Sequence, residues 1–210
     1  TAQWNRTMKD LNVTFREKKD STAFEGMIIT SDTAFFERLG WKKGEETPYA
    51  VMEFFNRCYE FALRKIGYKG TDKNIMSAVI HLDETTPHLQ LYYIPIVDTG
   101  KKKVYEKGAD GKVLRNEKGS PVQKKDEHGK SVYEFVRLEQ PKLCSSDFWG
   151  ERGGQLSYGN LQDDFHYRIG IHYGLERGEV GSNRKHTTKY QWQKQKQKAE
   201  LAALAEEKAR

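Results

Sequence analysis

The amino-acid sequence predicts an α+β fold, on three observations. Residues 48–66 repeat apolar side chains at helical spacing. Residues 75–83 and 88–97 are rich in β-formers, with only a short loop between them, so they read as antiparallel neighbours. Residues 98–136 are Lys-rich and punctuated by glycines, the pattern of turns between short strands.

Taken in order, residues 3–19 set Trp4, Met8, Leu11 and Phe15 on one stripe, which predicts a helix. The apolar run at 24–30 ends like a strand. Ser31-Asp32 then offers an N-cap for a short helix carrying Phe35, Phe36 and Leu39, closed by Gly40. Thr47-Pro48 starts the main helix, because proline is tolerated in a first turn. Val51, Phe55, Cys58, Ala62 and Ile66 form its core stripe, widened by Phe54 and Phe61, and Lys65 and Gly67 suit its end. In 98–136, Gly111, Gly119 and Gly129 recur beside Asp110, Asn116 and Asp126, which predicts a projecting β-ribbon. Residues 141–154 read as irregular. Ser157 is placed to cap a helix with Leu161, Phe165 and Ile169 that ends at Gly174, and Tyr158, Tyr167 and Tyr173 read as packing residues on it. From residue 191 the Gln/Lys/Ala/Glu/Leu composition predicts a helical or coiled-coil tail.

With 36% hydrophobic residues among 210, the chain can bury a real core, and 31% charged residues require a large polar surface. No apolar run of about 18 residues occurs, so no membrane-spanning segment is expected. Cys58 and Cys144 are isolated, which fits a reducing cytoplasm rather than a disulfide framework. The net charge of +6 is concentrated in residues 101–142 and after Arg184, while residues 1–100 are close to neutral. Clustered positive charge fits a polyanionic partner such as DNA.

The densest chemistry lies in residues 81–91, HLDETTPHLQL. Strand alternation sends His88, Gln90 and Tyr92 to one face and Leu89, Leu91 and Tyr93 to the other. If the two strands pair across the loop, His81 stands beside His88 and Gln90. Two imidazoles and an amide oxygen then converge, a donor set for Mn²⁺, Mg²⁺ or Zn²⁺. Glu84, at the mouth of the loop, is open to three roles: further ligand, base for a water, or partner orienting an imidazole. H-E-x-x-H is absent, which disfavours the usual helical zinc proteases; the P-loop and strand-linked G-x-G-x-x-G are absent, which leaves nucleotide binding without support; and G-x-S-x-G is absent too.

The block H-x-D-E-x-x-P-H-x-Q resembles the third motif of the MobV (Mob/Pre) plasmid-mobilisation relaxases, H-x-D-E-x-x-P-H-hydrophobic-H, members of the HUH nucleases. Weaker resemblance extends to residues 24–39 and 174–192. The resemblance implies a relaxase domain over residues 1–190, with a central antiparallel sheet of about five strands, helices mainly on one face, a ribbon insertion at 98–136, and a tail from 191–210 that offers self-association. It implies that His81 and His88 are metal ligands, that Gln90 replaces a third histidine, and that Glu84 is the family's acidic catalytic residue. The cofactor implied is a divalent metal, Mn²⁺ or Mg²⁺, and the partner is transfer-origin DNA, single-stranded or hairpin. Lys101, Lys102, Lys103, Lys107 and Lys112 on the ribbon, with Arg184, Lys185, His186 and Lys189 near the tail, are the expected phosphate contacts. The family's H-N-x-R segment, which holds its nucleophilic histidine, has no match and is expected to precede Thr1. A rolling-circle initiator and a DNA-binding module without catalysis remain as alternatives.

Overall fold

The computed structural model describes residues 2–17 and 21–181, together with positions 194, 197 and 198. Arg184, Lys185, His186 and Lys189 lie outside the described residues, as does most of the expected tail, in which Lys194, Gln197 and Lys198 have helical backbone. The chain divides into two units, residues 1–177 and 178–210, and the account below concerns the first. No helix among the described residues is long and apolar enough to cross a membrane.

The architecture is α+β with antiparallel sheets, as expected. Strands β1 (Glu25–Thr30), β2 (Ile75–His81) and β3 (His88–Tyr93) form one sheet in the order β1-β3-β2, antiparallel throughout. Strands β4 (Ile96–Lys103) and β5 (Tyr133–Leu143) pair separately as the stem of the ribbon. The expected single sheet of about five strands is therefore divided into three and two. The division falls where sequence reading saw one strand over 88–97. Pro95 has no N–H to give a ladder, Ile94 donates instead to the Asn74 carbonyl at 2.9 Å, and the chain pivots out of the sheet.

Helix α1 spans Ala2–Asp10, α2 Thr33–Arg38 and α3 Tyr49–Ile66. The Asp32 side chain caps α2 by accepting from the Phe35 N–H at 2.7 Å. Every residue of the α3 stripe is buried, and with Phe35, Phe36 and Trp41 they pack against Ile29, Leu89, Leu91 and Tyr93 on the inner face of the sheet. Burial pushes the Cys58 thiol up to about 12, so it serves as a small apolar side chain. A second cluster joins Met8 of α1 to Ile94, Ile96 and Leu143 at the base of the ribbon.

Three expectations about elements need correction. Helix α1 ends well short of residue 19, because Asn12 turns the chain at φ 51° and Thr14 then bridges Lys142. Residues 141–154 are not irregular: β5 runs through Leu143, and α4 (Ser145–Glu151) follows with Phe148 buried. Ser157 does not cap through an acceptor oxygen; its hydroxyl donates to the Gly154 carbonyl at 2.7 Å and opens α5 (Ser157–Arg168). On that helix Tyr158 and Tyr167 are exposed, and only Tyr173 beyond it packs on the core.

Outside the stem, the ribbon is a series of tight turns. Gly111, Gly119 and Gly129 all have φ near 75° (75°, 76° and 74°), where glycine is favoured. Asp110, Asn116 and Asp126 each accept backbone N–H groups into their side chains, for example Lys130 N–H to Asp126 Oδ1 at 2.8 Å. The segments close on one another in threes: Leu114 donates to Glu106, Glu106 to Val122 and Val122 to Leu114, at 2.8–2.9 Å. The hydrogen bonds and ion pairs described for residues 104–132 all stay within that span.

Candidate metal centre

The outer face of the three-stranded sheet carries the chemistry. His81 pairs with His88 across β2 and β3, and the same register sets Val79 opposite Gln90 and Ser77 opposite Tyr92. Because side chains alternate, His81, His88, Gln90 and Tyr92 all stand on the side away from α3. The two imidazoles are stacked, with centroids 4.7 Å apart and planes 13° from parallel.

The loop at 82–87 is pinned from β1 and α2. Thr30 Oγ1 donates to the Pro87 carbonyl at 2.7 Å, and the Thr33 and Thr86 hydroxyls are 2.8 Å apart. Pro87 is buried, so the approach to His88 is fixed. His88 Nδ1 lies 3.2 Å from the Thr86 carbonyl. With the proton on Nδ1 that contact is a hydrogen bond, and Nε2 is left as the coordinating nitrogen. Thr30, Thr33 and Thr86 were not singled out in the sequence, because their contacts span more than fifty residues, 57 and 53 positions in these two cases.

Glu84 is exposed on this loop, and its carboxylate joins the imidazoles: ligand atoms of His81, Glu84 and His88 all lie within 4.8 Å of one another. Atoms sharing one divalent ion at about 2.1–2.2 Å are at most about 4.4 Å apart. Three atoms sharing one ion in tetrahedral or facial octahedral geometry lie about 3.0–3.6 Å apart, so the triad closes on an ion with side-chain movements on the order of 1 Å. Two imidazoles and a carboxylate suit a first-row divalent metal.

Gln90 stands next to His88 on the same face, and its Nε2 donates to the Tyr92 hydroxyl at 2.8 Å. The Tyr92 ring lies across Gly26, its partner on β1, where an added Cβ would come within 3.2 Å of the ring. The edge of Phe24 meets the same ring at 5.9 Å between centroids and 81°. Around these residues Phe24, Ile28 and Val79 leave the outer face apolar and exposed.

The ribbon lysines divide into two groups. Lys101 is 3.7 Å from buried Asp147 and lies over Phe135, while Lys102 pairs with Glu134 and Lys112 with Asp110. Among the described residues, Lys103 and Lys107 make no ion pair. Asp147 is held by Lys142 at 2.5 Å as well as by Lys101. Burial alone would push its carboxyl up, but the hydrogen bond and charge of Lys142, with the charge of Lys101, outweigh burial and hold it below the usual carboxylate range.

A family model described as Mob_Pre, plasmid recombination enzyme, matches residues 6–132. A plasmid recombination enzyme from a Bacillus species is 27% identical over 195 residues, covering 92% of this chain and 33% of the relative. Another from Lactiplantibacillus plantarum is 33% identical over 95 residues, covering 44% of this chain and 23% of the relative. The chain thus spans about a third of the length of the first of these relatives. Among solved structures, the MobM relaxase domain (MOBV; Mob_Pre), Mn-bound and in complex with plasmid oriT DNA, aligns with TM-score 0.55 and 23% identity, covering 91% of this chain and 72% of that one. A second crystal structure of that domain with oriT DNA gives TM-score 0.54. At this identity the likeness establishes the fold.

Proposed function

Because the chain belongs to the plasmid recombination enzyme family, we propose that it is the metal-binding part of a relaxase, a DNA strand transferase that nicks and rejoins one strand at a transfer origin. The observation that carries this reading is the convergence of His81, Glu84 and His88 on one open sheet face. His81 and the Nε2 of His88 would hold a divalent cation, Mn²⁺ or Mg²⁺, with Glu84 completing the set from the loop and Gln90 offering an amide oxygen. Glu84 is assigned to holding the ion because its carboxylate stands within reach of both imidazoles. When bound, such an ion polarises the scissile phosphate and offsets charge that builds on its oxygens.

The Thr86 carbonyl keeps the His88 ring oriented, and the Thr30 and Thr33 hydroxyls keep the loop in place as the phosphate docks. The reaction is attack of a side-chain nucleophile on phosphorus: the bond to the 3′ oxygen breaks, that oxygen leaves as a 3′-OH after gaining a proton, and the protein becomes joined to the 5′ phosphate. The nucleophile is assigned to a segment of H-N-x-R type, which these 210 residues do not contain. The MobM domain, Mn-bound with oriT DNA, supports both the metal and the DNA partner. Lys103 and Lys107, exposed and without an ion pair among the described residues, are ribbon cations available to meet phosphates, and a cytoplasmic location belongs to the same reading.

The test is nicking of supercoiled origin DNA by the full-length protein in Mn²⁺. His81→Ala and His88→Ala are each expected to lower nicking at least about 100-fold while DNA affinity stays within a few-fold. Retained DNA binding with no nicking by the wild type would replace the relaxase reading by that of a DNA-binding module.

A further inference from the structure

We infer that the outer face of the sheet beside the imidazoles is a platform for unpaired bases, and that Tyr92 stacks on one of them. The inference rests on the relaxase reading above and says how the strand lies on that site. Register and alternation fix the layout of the face. Beyond the row of the imidazoles, the next row is Val79, Gln90 and Ile28, and the one after it is Ser77, Tyr92 and Gly26. Phe24 stands past the end of β1, against the Tyr92 ring. None of these positions carries a charged residue. Their large side chains are open to solvent: Ile28 is 60% exposed, Phe24 54%, Val79 45% and Tyr92 36%.

A strand whose phosphate sits at the imidazoles continues over neighbouring surface. His81 and His88 are the residues of β2 and β3 that flank the 82–87 loop, so the sheet extends from them only toward Tyr92. That surface decides which side of the strand it meets. Phosphates are held by cations, and these positions offer none. Bases need flat apolar surface, and the face is made of it. The strand therefore runs with its bases toward the sheet and its phosphates toward solvent. Only unpaired bases can do this, because a duplex covers both faces of each base with its neighbours. Tyr92 is the side chain placed for the contact. It follows His88 by four residues on the same face, about 13 Å along the strand. Its ring is supported before any base arrives. Gly26 opposite it has no side chain, and an added Cβ there would come within 3.2 Å of Cε1 and 3.6 Å of Cδ1. Phe24 meets the ring edge to face at 5.9 Å. A ring already held in place loses little freedom on stacking.

The experiment is binding of a fluorescein-labelled oligothymidylate strand of about 16 nucleotides to the 210-residue chain, followed by anisotropy across a salt series. Tyr92→Ala is expected to lower affinity about 5- to 100-fold, the range for removing one stacking partner. The slope of log affinity against log salt should stay as in the wild type, because no phosphate contact is lost. Tyr92→Phe keeps a ring face and should bind within about twofold of the wild type. Tyr92→Leu fills the space over Gly26 without a ring, so it should bind as weakly as Tyr92→Ala while keeping the wild-type unfolding midpoint. Affinity for a duplex of the same length should not change in any of the three. A lowered salt slope, an equal loss on the duplex, or Tyr92→Phe binding as weakly as Tyr92→Ala would overturn the inference. If the wild type binds no single strand even at low salt, the DNA reading falls and the inference with it. Wild-type binding that is indifferent to Tyr92→Ala overturns the inference alone.

Discussion

The three-stranded sheet and the ribbon are both antiparallel β-structure, but they are held by opposite means. In the sheet, Leu89, Leu91 and Tyr93 are buried against α3, and one face is left open to carry His81, His88 and Gln90. In the ribbon, residues 104–132 are almost all exposed, and shape comes from side-chain-to-backbone bonds at Asp110, Asn116 and Asp126 with glycines at positive φ. The sheet therefore positions its polar groups through a buried layer beneath them. The ribbon positions its lysines through local turn chemistry, with no core of its own.

The largest way to break this contrast is Leu91→Ala. Leu91 is fully buried directly under the site, and its truncation is expected to cost about 4 kcal/mol of stability for the domain. Urea denaturation followed by fluorescence should report it as a lower midpoint, and Mn²⁺ uptake should be lost along with the fold. A loss below about 1 kcal/mol would mean that the sheet does not depend on its inner layer.

The junction between the two regions comes next. Asp147 on α4 is paired with Lys101 of β4 and Lys142 of β5, so Asp147→Ala strands two cations at the base of the stem. The expected cost is about 2 kcal/mol, reduced from the fully buried case because both lysines remain partly in water. Its carboxyl sits below the usual range in the fold. Pairing therefore stabilises the protein above the ordinary carboxylate range, and that contribution is lost as pH falls through the lowered folded value. The gap between wild-type and variant midpoints should be wide near about pH 7 and narrow progressively below about pH 4. A gap that does not change with pH would refute the assignment.

The smallest effect is expected in the ribbon. Lys103→Gln with Lys107→Gln should leave the unfolding midpoint unchanged and weaken DNA binding. Each lost phosphate contact should lower the slope of log affinity against log salt by about 0.7–0.9. An unchanged slope would remove the ribbon from the DNA interface.

The parts of the molecule that were legible in the sequence share one property: short-range periodicity that coincides with burial. The α3 stripe was readable because Val51, Phe55, Cys58, Ala62 and Ile66 repeat at helical spacing and all face the core. The cross-strand meeting of His81 and His88 was readable because alternation and a short loop leave little choice of register. What could not be read depended on distant partners. The end of α1 is set by Asn12 and by Thr14 meeting Lys142, far along the chain. The pivot at Pro95 is hidden inside an unbroken apolar run, because the groups that take over its hydrogen bonding belong to Asn74. Glu84 could be given no single role, because the conformation of its loop is fixed by Thr30 and Thr33 on other elements. The division of the ribbon lysines likewise waited on Asp147 and Glu134, which reach Lys101 and Lys102 only in the folded chain.

The stem has a practical consequence. Its two arms leave the domain side by side, Ile96 opposite Leu143, and remain paired out to Lys103 opposite Tyr133. A loop whose ends are already clamped exerts no tension on its support, whatever length of chain is spliced into it. The turn at Gly119 is thus a ready insertion point for a fluorophore-labelling peptide or a small reporter domain, carried at the far end of the paired arms while the fold beneath keeps its shape.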